Sequence, residues 1–201
     1  MSVHDAQLNR AVLMPSAGGL TPSQRVYTTG MLVALCGVLL FFASLLSAWV
    51  VRKGLAGAPE FRLDLPTRLL AANTFLLLIS SVTLDVARRH LRSNRAAAFR
   101  NWWCATAALG LLFVLGQVIA WRAMAAHGVF LASSPDASFF YLLTASHGLH
   151  LLGGVVGLLA VAFWPLRRMT LATAANVAAM YWHSMTAIWA CIFVLLTVAR
   201  S

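Results

Sequence analysis

The sequence predicts an all-α integral membrane protein of five transmembrane helices, with the N-terminus cytoplasmic and the C-terminus external. Three observations predict it. Of 201 residues, 61% are hydrophobic and only 10% charged, against roughly 25% charged residues in a soluble domain. Five long uncharged runs divide the chain. The 15 Lys and Arg fall unevenly between the loops on alternate sides, as expected where basic residues are retained on the cytoplasmic face.

The first run fills the interval between Arg25 and Arg52; the others span Leu69 to Leu84, Asn101 to Trp121, Ala137 to Leu166 and Met169 to Ala199. A helix needs ~20 apolar residues to cross ~30 Å of hydrocarbon. Four runs suffice outright, and the second suffices if its helix continues past Asp85 to Ala87. The first run is too long for a signal-peptide core and no small-residue cleavage site follows it, so it is expected as a retained helix. The expected organisation is a cytoplasmic N-terminal segment, 1–25, and a five-helix transmembrane domain, 26–201, with short loops and no soluble domain.

One face collects Arg10, Arg25, Arg88, Arg89, Arg92, Arg95, Arg100, Arg167 and Arg168. The other has Arg52, Lys53, Arg62, Arg68, Arg122 and Arg200, diluted by Glu60, Asp64 and Asp136. A basic cytoplasmic rim against anionic lipid headgroups accounts for the net charge of +10, and no nucleic acid partner is needed.

Several chemistries have no motif. Cys36, Cys104 and Cys191 stand singly in apolar runs, without the paired spacing of a copper, zinc, iron–sulfur or covalent haem site, and read as small core residues. No Gly-rich phosphate loop and no Ser/His/Asp set is suggested.

Polar side chains inside hydrocarbon are costly, so the few present carry the functional question. They are Asn73, Ser80, Ser81, Thr83 and Asp85 in the second run, Gln117 in the third, His147 and His150 in the fourth, and Tyr181, His183, Ser184 and Thr186 in the fifth. At helical spacing His147, His150, Gly154 and Gly157 share a face with Gly153 beside it, which predicts a packing seam. His150 and His183 fall at roughly similar depth and could be neighbours. A histidine bonded to a carbonyl or hydroxyl is commoner than a ligand, and haem needs ligands on both sides of the macrocycle. A structural role is therefore favoured over haem or metal ligation and over proton handling.

The stretch "FFYLLTASHGLHLLGG" resembles the FxLTGFHGLHVxxG helix of cytochrome c oxidase subunit III, and "YWHSMTAIWACIFVLL" its final helix, YWHFVDxVWxxLFxxxY. The order of the remaining helices agrees. "GMLVALCGVLLFFASLLSAW" resembles GMWLFLxSExxFFxxLFxAY, "LPTRLLAANTFLLLISSVTLDVA" resembles LPxxNTxxLLxSSxTxxxA, and "LGLLFVLGQVIAW" resembles LGxxFLxxQxYEW. The resemblance covers residues 30 to about 198 and corresponds to the short, five-helix bacterial form, in the bacterial inner membrane.

This resemblance implies a non-catalytic subunit of a haem-copper terminal oxidase in aerobic respiration. It would have no redox centre of its own, the haem and copper lying in partner subunits I and II. The implied fold is a V-shaped pair of bundles whose cleft holds phospholipid, supporting proton uptake and turnover by the catalytic subunit. Candidate structural and lipid-cleft residues are Asn73, Ser80, Ser81, Thr83, Gln117, Trp121, His147, Gly148, His150, Tyr181, Trp182, His183 and Trp189; no residue is expected to be catalytic or to bind metal.

The chain departs from the family pattern at three intramembrane carboxylates, which are replaced by Val38, Ala120 and Thr186. Removing a charge from hydrocarbon relieves a few kcal/mol, so the fold is expected to tolerate the change. With those acids gone, no carboxylate in the runs is expected near His150 or His183, which would then serve as interhelical hydrogen-bond partners worth ~1 kcal/mol each. Three readings of different class follow: the oxidase subunit, an accessory protein of the same fold serving a nitric oxide reductase, and a b-type membrane cytochrome using His147, His150 and His183.

Overall fold

The computed structural model describes residues 22–55, 66–163 and 170–198. These form five α-helices: α1 (Pro22–Leu55), α2 (Thr67–Arg92), α3 (Ala96–Ala126), α4 (Pro135–Phe163) and α5 (Leu171–Val198). Each is long and apolar enough to cross a membrane. The N-terminal segment through residue 21, most of the loop bearing Glu60, Arg62 and Asp64, and the positions of Arg167, Arg168 and Arg200 lie outside the described residues.

The second run does continue past Asp85, through to Arg92. The turn into α3 is then only Ser93 to Arg95, closed by Ser93 N donating to the Arg89 carbonyl, Asn94 N to Leu91 and Arg95 N to His90. Asn94 takes φ 55°, a left-handed conformation that asparagine tolerates better than most residues. At the far end of α3, Gly128 (φ 76°) follows the last turn. Its N–H donates to the Ala125 carbonyl and that of Val129 to Met124, the Schellman arrangement that favours glycine there. Ser134 then caps α4, its Oγ accepting from Ala137 N at 3.1 Å, with Pro135 in the first turn, where its missing N–H costs nothing. Thr170 does the same for α5, accepting from Thr173 N at 3.2 Å.

Helices α2, α3, α4 and α5 pack in a ring, each touching the next and α5 closing on α2. Helix α1 lies outside it against α4 and α5. It buries only a single stripe, Leu35, Phe42 and Trp49, repeating every seven residues as one seam of a coiled-coil contact does. At its C-terminal end Arg52 (2.8 Å) and Lys53 (3.4 Å) pair with Asp136 at the start of α4.

Two sequence-level expectations change here. One buried core runs through all five helices, so the described chain forms one bundle and not a V-shaped pair; the α1 stripe docks directly on the ring. The α4 seam is also rotated from the expected one. Its buried line runs Phe140, Leu143, Thr144, His147, Gly148, Leu151, Gly154, Val155 and Leu158, whereas Gly153 and Gly157 face outward, with nothing near a Cβ placed on either. The bulk of Trp182 sets that rotation. Its ring fills the space that a side chain on Gly110 would occupy and, with Tyr181, crowds that of one on Gly154.

Candidate functional site

Neutral donors hold the ring of helices together, each reaching a neighbouring helix. Trp182 Nε1 (α5) donates to Ser80 Oγ (α2) at 3.0 Å, and Ser80 passes its own proton to the Leu77 carbonyl at 2.6 Å. Trp189 Nε1 donates to Thr74 Oγ1 at 3.0 Å, which donates to Leu70 O at 2.8 Å. Between α3 and α4, Trp121 Nε1 donates to Thr144 Oγ1 at 3.0 Å, and Thr144 to Phe140 O at 2.7 Å. Tyr181 Oη donates to the His150 carbonyl at 2.9 Å. A hydroxyl that returns its proton to its own helix keeps an acceptor lone pair free for an indole, so each clamp satisfies both partners without placing a charge in hydrocarbon.

Trp121, Trp182 and Trp189 are thus interhelical donors as well as bulk, and the threonines that receive two of them were missed in the sequence. Thr74 and Thr144 each donate to the carbonyl four residues before them, and both stand at lettered positions of the quoted motifs, the NT and LT pairs, which is the sequence signal that could have found them. Thr83 Oγ1 is hydrogen-bonded to a further overlooked partner, Thr106 Oγ1, at 2.8 Å.

The two amides differ. Asn73 Nδ2 reaches across to the Phe113 carbonyl, a long contact of 3.5 Å, and its amide lies flat against Gly116, where a Cβ would overlap it. Gln117 is buried with neither amide atom bonded.

The three histidines do not converge. His147 is fully buried with both ring nitrogens unbonded, its ring boxed by Phe42, Phe113 and Trp189 at centroid distances of 6.1, 5.8 and 5.1 Å. His150 Nδ1 bonds the Ser146 carbonyl of its own helix at 2.8 Å, and its ring lies against Phe41 and Phe42 of α1. Its ring nitrogen thus bonds within α4 and its ring packs on α1; the hydrogen bond that crosses to α5 is made by its backbone carbonyl, which accepts from Tyr181. Gly148, buried beside His147, leaves room where a Cβ would stand.

His183 overturns another expectation. Its Nε2 lies 3.2 Å from Asp85 Oδ1 and its Nδ1 2.6 Å from Ser81 Oγ. A carboxylate accepts, so Nε2 carries a hydrogen, and in the neutral ring Nδ1 accepts from the Ser81 hydroxyl. Asp85 also takes Arg88 Nη1 at 3.1 Å, and Arg88 Nη2 donates to Asn176 Oδ1 at 3.0 Å. A carboxylate does lie beside His183: Asp85 sits two turns before the end of α2, within reach of α5.

Ser81, His183 and Asp85 are thus a hydrogen-bonded Ser/His/Asp set, although no such set was legible in the sequence. Acyl transfer also requires preorganised donors aimed at a developing oxyanion. Ser81 lies in the interior of α2, where backbone N–H groups are spent on helix bonds. The set is suited to joining α2 to α5. Among the described residues no group of three or more His, Cys, Asp or Glu is placed to hold a metal ion.

The family carboxylate positions are filled without strain on polar groups. Val38 packs on the core, Ala120 is buried, and Thr186 Oγ1 donates to the Trp182 carbonyl at 3.0 Å.

Comparison with known proteins agrees with this arrangement. The family model described as "Cytochrome c oxidase subunit III" matches residues 21–199. The probable cytochrome c oxidase subunit 3 of Mycobacterium bovis is 30% identical over 182 residues, 86% of this chain and 88% of that protein. The cytochrome c oxidase subunit 3 of Thermostichus vulcanus is 30% identical over 177 residues, 83% and 84% of the two chains. That of Corynebacterium diphtheriae is 26% identical over 199 residues, 92% and 94%.

Proposed function

Because the chain belongs to the cytochrome c oxidase subunit III family and is a multi-pass protein of the bacterial inner membrane, we propose that it is the non-catalytic, stabilising subunit of a haem-copper terminal oxidase. It docks on catalytic subunit I, in a complex with subunit II, and supports proton uptake and turnover there. The observation that carries this reading is where the family motifs lie. Trp182, Trp189, His183, Ser80 and Ser81, all motif residues, hold one helix to another, so the matched sequence encodes a packing framework.

The N-terminus is cytoplasmic and the C-terminus external, the basic end of the α2–α3 turn lying inside. The N-terminal segment ahead of α1 would accordingly lie on the cytoplasmic side. Bound phospholipid is part of the proposal. An open, almost wholly apolar groove between α3 and α4, lined by Val118, Trp121, Ala125, Phe130, Leu131, Tyr141 and part of Arg122, offers the surface that an acyl chain requires. Of the candidate lipid-cleft residues, Trp121 lines it.

A second reading, an accessory protein of a nitric oxide reductase, is favoured by the apolar or hydroxyl side chains at Val38, Ala120 and Thr186, where the family has acids. Affinity capture of the tagged chain from native membranes separates the two. A haem-bearing partner with a copper-bearing second subunit supports the oxidase; a nitric oxide reductase partner overturns it. The third reading is tested in the same preparation, since the chain stripped of partners should have no Soret band and no stoichiometric iron or copper.

A further inference from the structure

The polar set on α2 and α5 is not sealed inside the bundle. The His183 side chain is 35% exposed and that of Asp85 47%. His183 falls at the middle of α5. Asp85 lies roughly 10 Å along α2 from Arg92, and a hydrocarbon core of ~30 Å centred on a helix of this length begins ~5 Å from its end. Both side chains therefore open sideways into the level of the acyl chains.

The neighbouring surfaces are different. At mid-span α3 turns Leu111, Leu112 and Leu115 outward, and α4 Leu149, Leu152 and Val156, as lipid demands. On α2 the outward line Phe75, Leu78 and Val82 runs, at helical spacing, into Asp85. On α5 the outward line is Asn176, His183, Ala187, Cys191 and Val194. Both bonds to Asp85 fall on Oδ1, so Oδ2 is the oxygen a further donor can reach. A carboxylate open to hydrocarbon costs several kcal/mol, and polar groups at such depth almost always face protein or water.

We propose that the outward face of α2 and α5 is the surface on which the catalytic partner docks. A transmembrane helix of that partner would lie along Leu78, Val82, Ala187 and Cys191, and bring a hydrogen-bond donor (hydroxyl, amide, indole or basic side chain) level with Asp85 and His183. The inference rests on the oxidase-subunit reading for the existence of the partner, and on burial and depth for its position. The small side chains of Ala187 and Cys191 allow the close backbone approach that such helix pairs use.

The test is photo-cross-linking in native membranes, with a benzophenone amino acid incorporated singly at Leu78 or Ala187, and at Leu112 or Val156 on the α3 and α4 faces. The expected result is an adduct with the haem-bearing catalytic polypeptide from Leu78 and Ala187, and lipid adducts from Leu112 and Val156. Catalytic-subunit adducts from Leu112 or Val156, with lipid adducts alone from Leu78 and Ala187, would overturn the docking face while leaving the oxidase reading intact. A chain that captures no haem-bearing subunit overturns both. As a second readout, Asp85→Leu should lower the amount of chain retained with the partner at least tenfold, while Leu112→Ala should leave it unchanged; equal retention of the two would also overturn the proposal.

Discussion

His183 and Asp85 meet across the α2–α5 interface, Nε2 to Oδ1 at 3.2 Å, with Ser81 on the other ring nitrogen at 2.6 Å. Each member stabilises the contact through the same bonds, so their substitutions should not add. In a double-mutant cycle, His183→Leu and Asp85→Leu should each destabilise the isolated chain. The double variant should be less destabilised than their sum by ~1 kcal/mol, the scale of membrane hydrogen bonds. Thermal unfolding in detergent measures it, and strict additivity would mean the contact is idle. His183→Gln, which keeps a donor and an acceptor, should lie between wild type and His183→Leu.

Gly110 on α3 and Gly154 and Gly157 on α4 predict a contrast. A Cβ at Gly110 would run into the Trp182 ring, and one at Gly154 would crowd Tyr181 and Trp182, whereas one at Gly157 meets nothing within 4 Å. Gly110→Ala should therefore destabilise by ~1 to 3 kcal/mol, as overpacking does. Gly157→Ala should be neutral or slightly stabilising, since alanine has the better helix propensity. Matching thermal shifts for the two would mean that the Trp182 ring is not seated against α3 at Gly110.

Gln117 and His147 are both buried with their side-chain polar atoms unbonded among the described residues. A buried unsatisfied group costs ~1 to 3 kcal/mol. Gln117→Leu and His147→Phe should thus leave stability unchanged or raise it, the phenyl ring joining Phe42, Phe113 and Trp189. A clear loss of stability in both variants, read by the same thermal assay, would show that they have partners in the native membrane.

Topology can be tested at two turns that the structure describes. Single cysteines replacing Ser93, between α2 and α3, and Ser133, between α3 and α4, should label from opposite sides in a background lacking Cys36, Cys104 and Cys191. The Ser93 position should be cytoplasmic, because Arg88, Arg89, Arg92, Arg95 and Arg100 gather around it. Labelling of Ser93 from outside would invert the orientation.

The number of helices and their approximate bounds were legible in the sequence by itself. Span length and apolar composition are local properties, and a polar side chain in an apolar run is conspicuous wherever the run folds. The family resemblance was legible for the same reason, since its motifs are those conspicuous residues. Partnership was decided only by the tertiary structure. Whether Asp85 reaches His183, whether His150 turns to α5 or to α1, and whether Gly154 or Gly157 lies inside depend on the rotation and register of each helix. Those are set by long-range packing, above all the Trp182 ring seated against Gly110 and Gly154. Apolar periodicity marks a face only to within about one residue's rotation of ~100°, too coarse to tell which of two adjacent polar groups points at a neighbour.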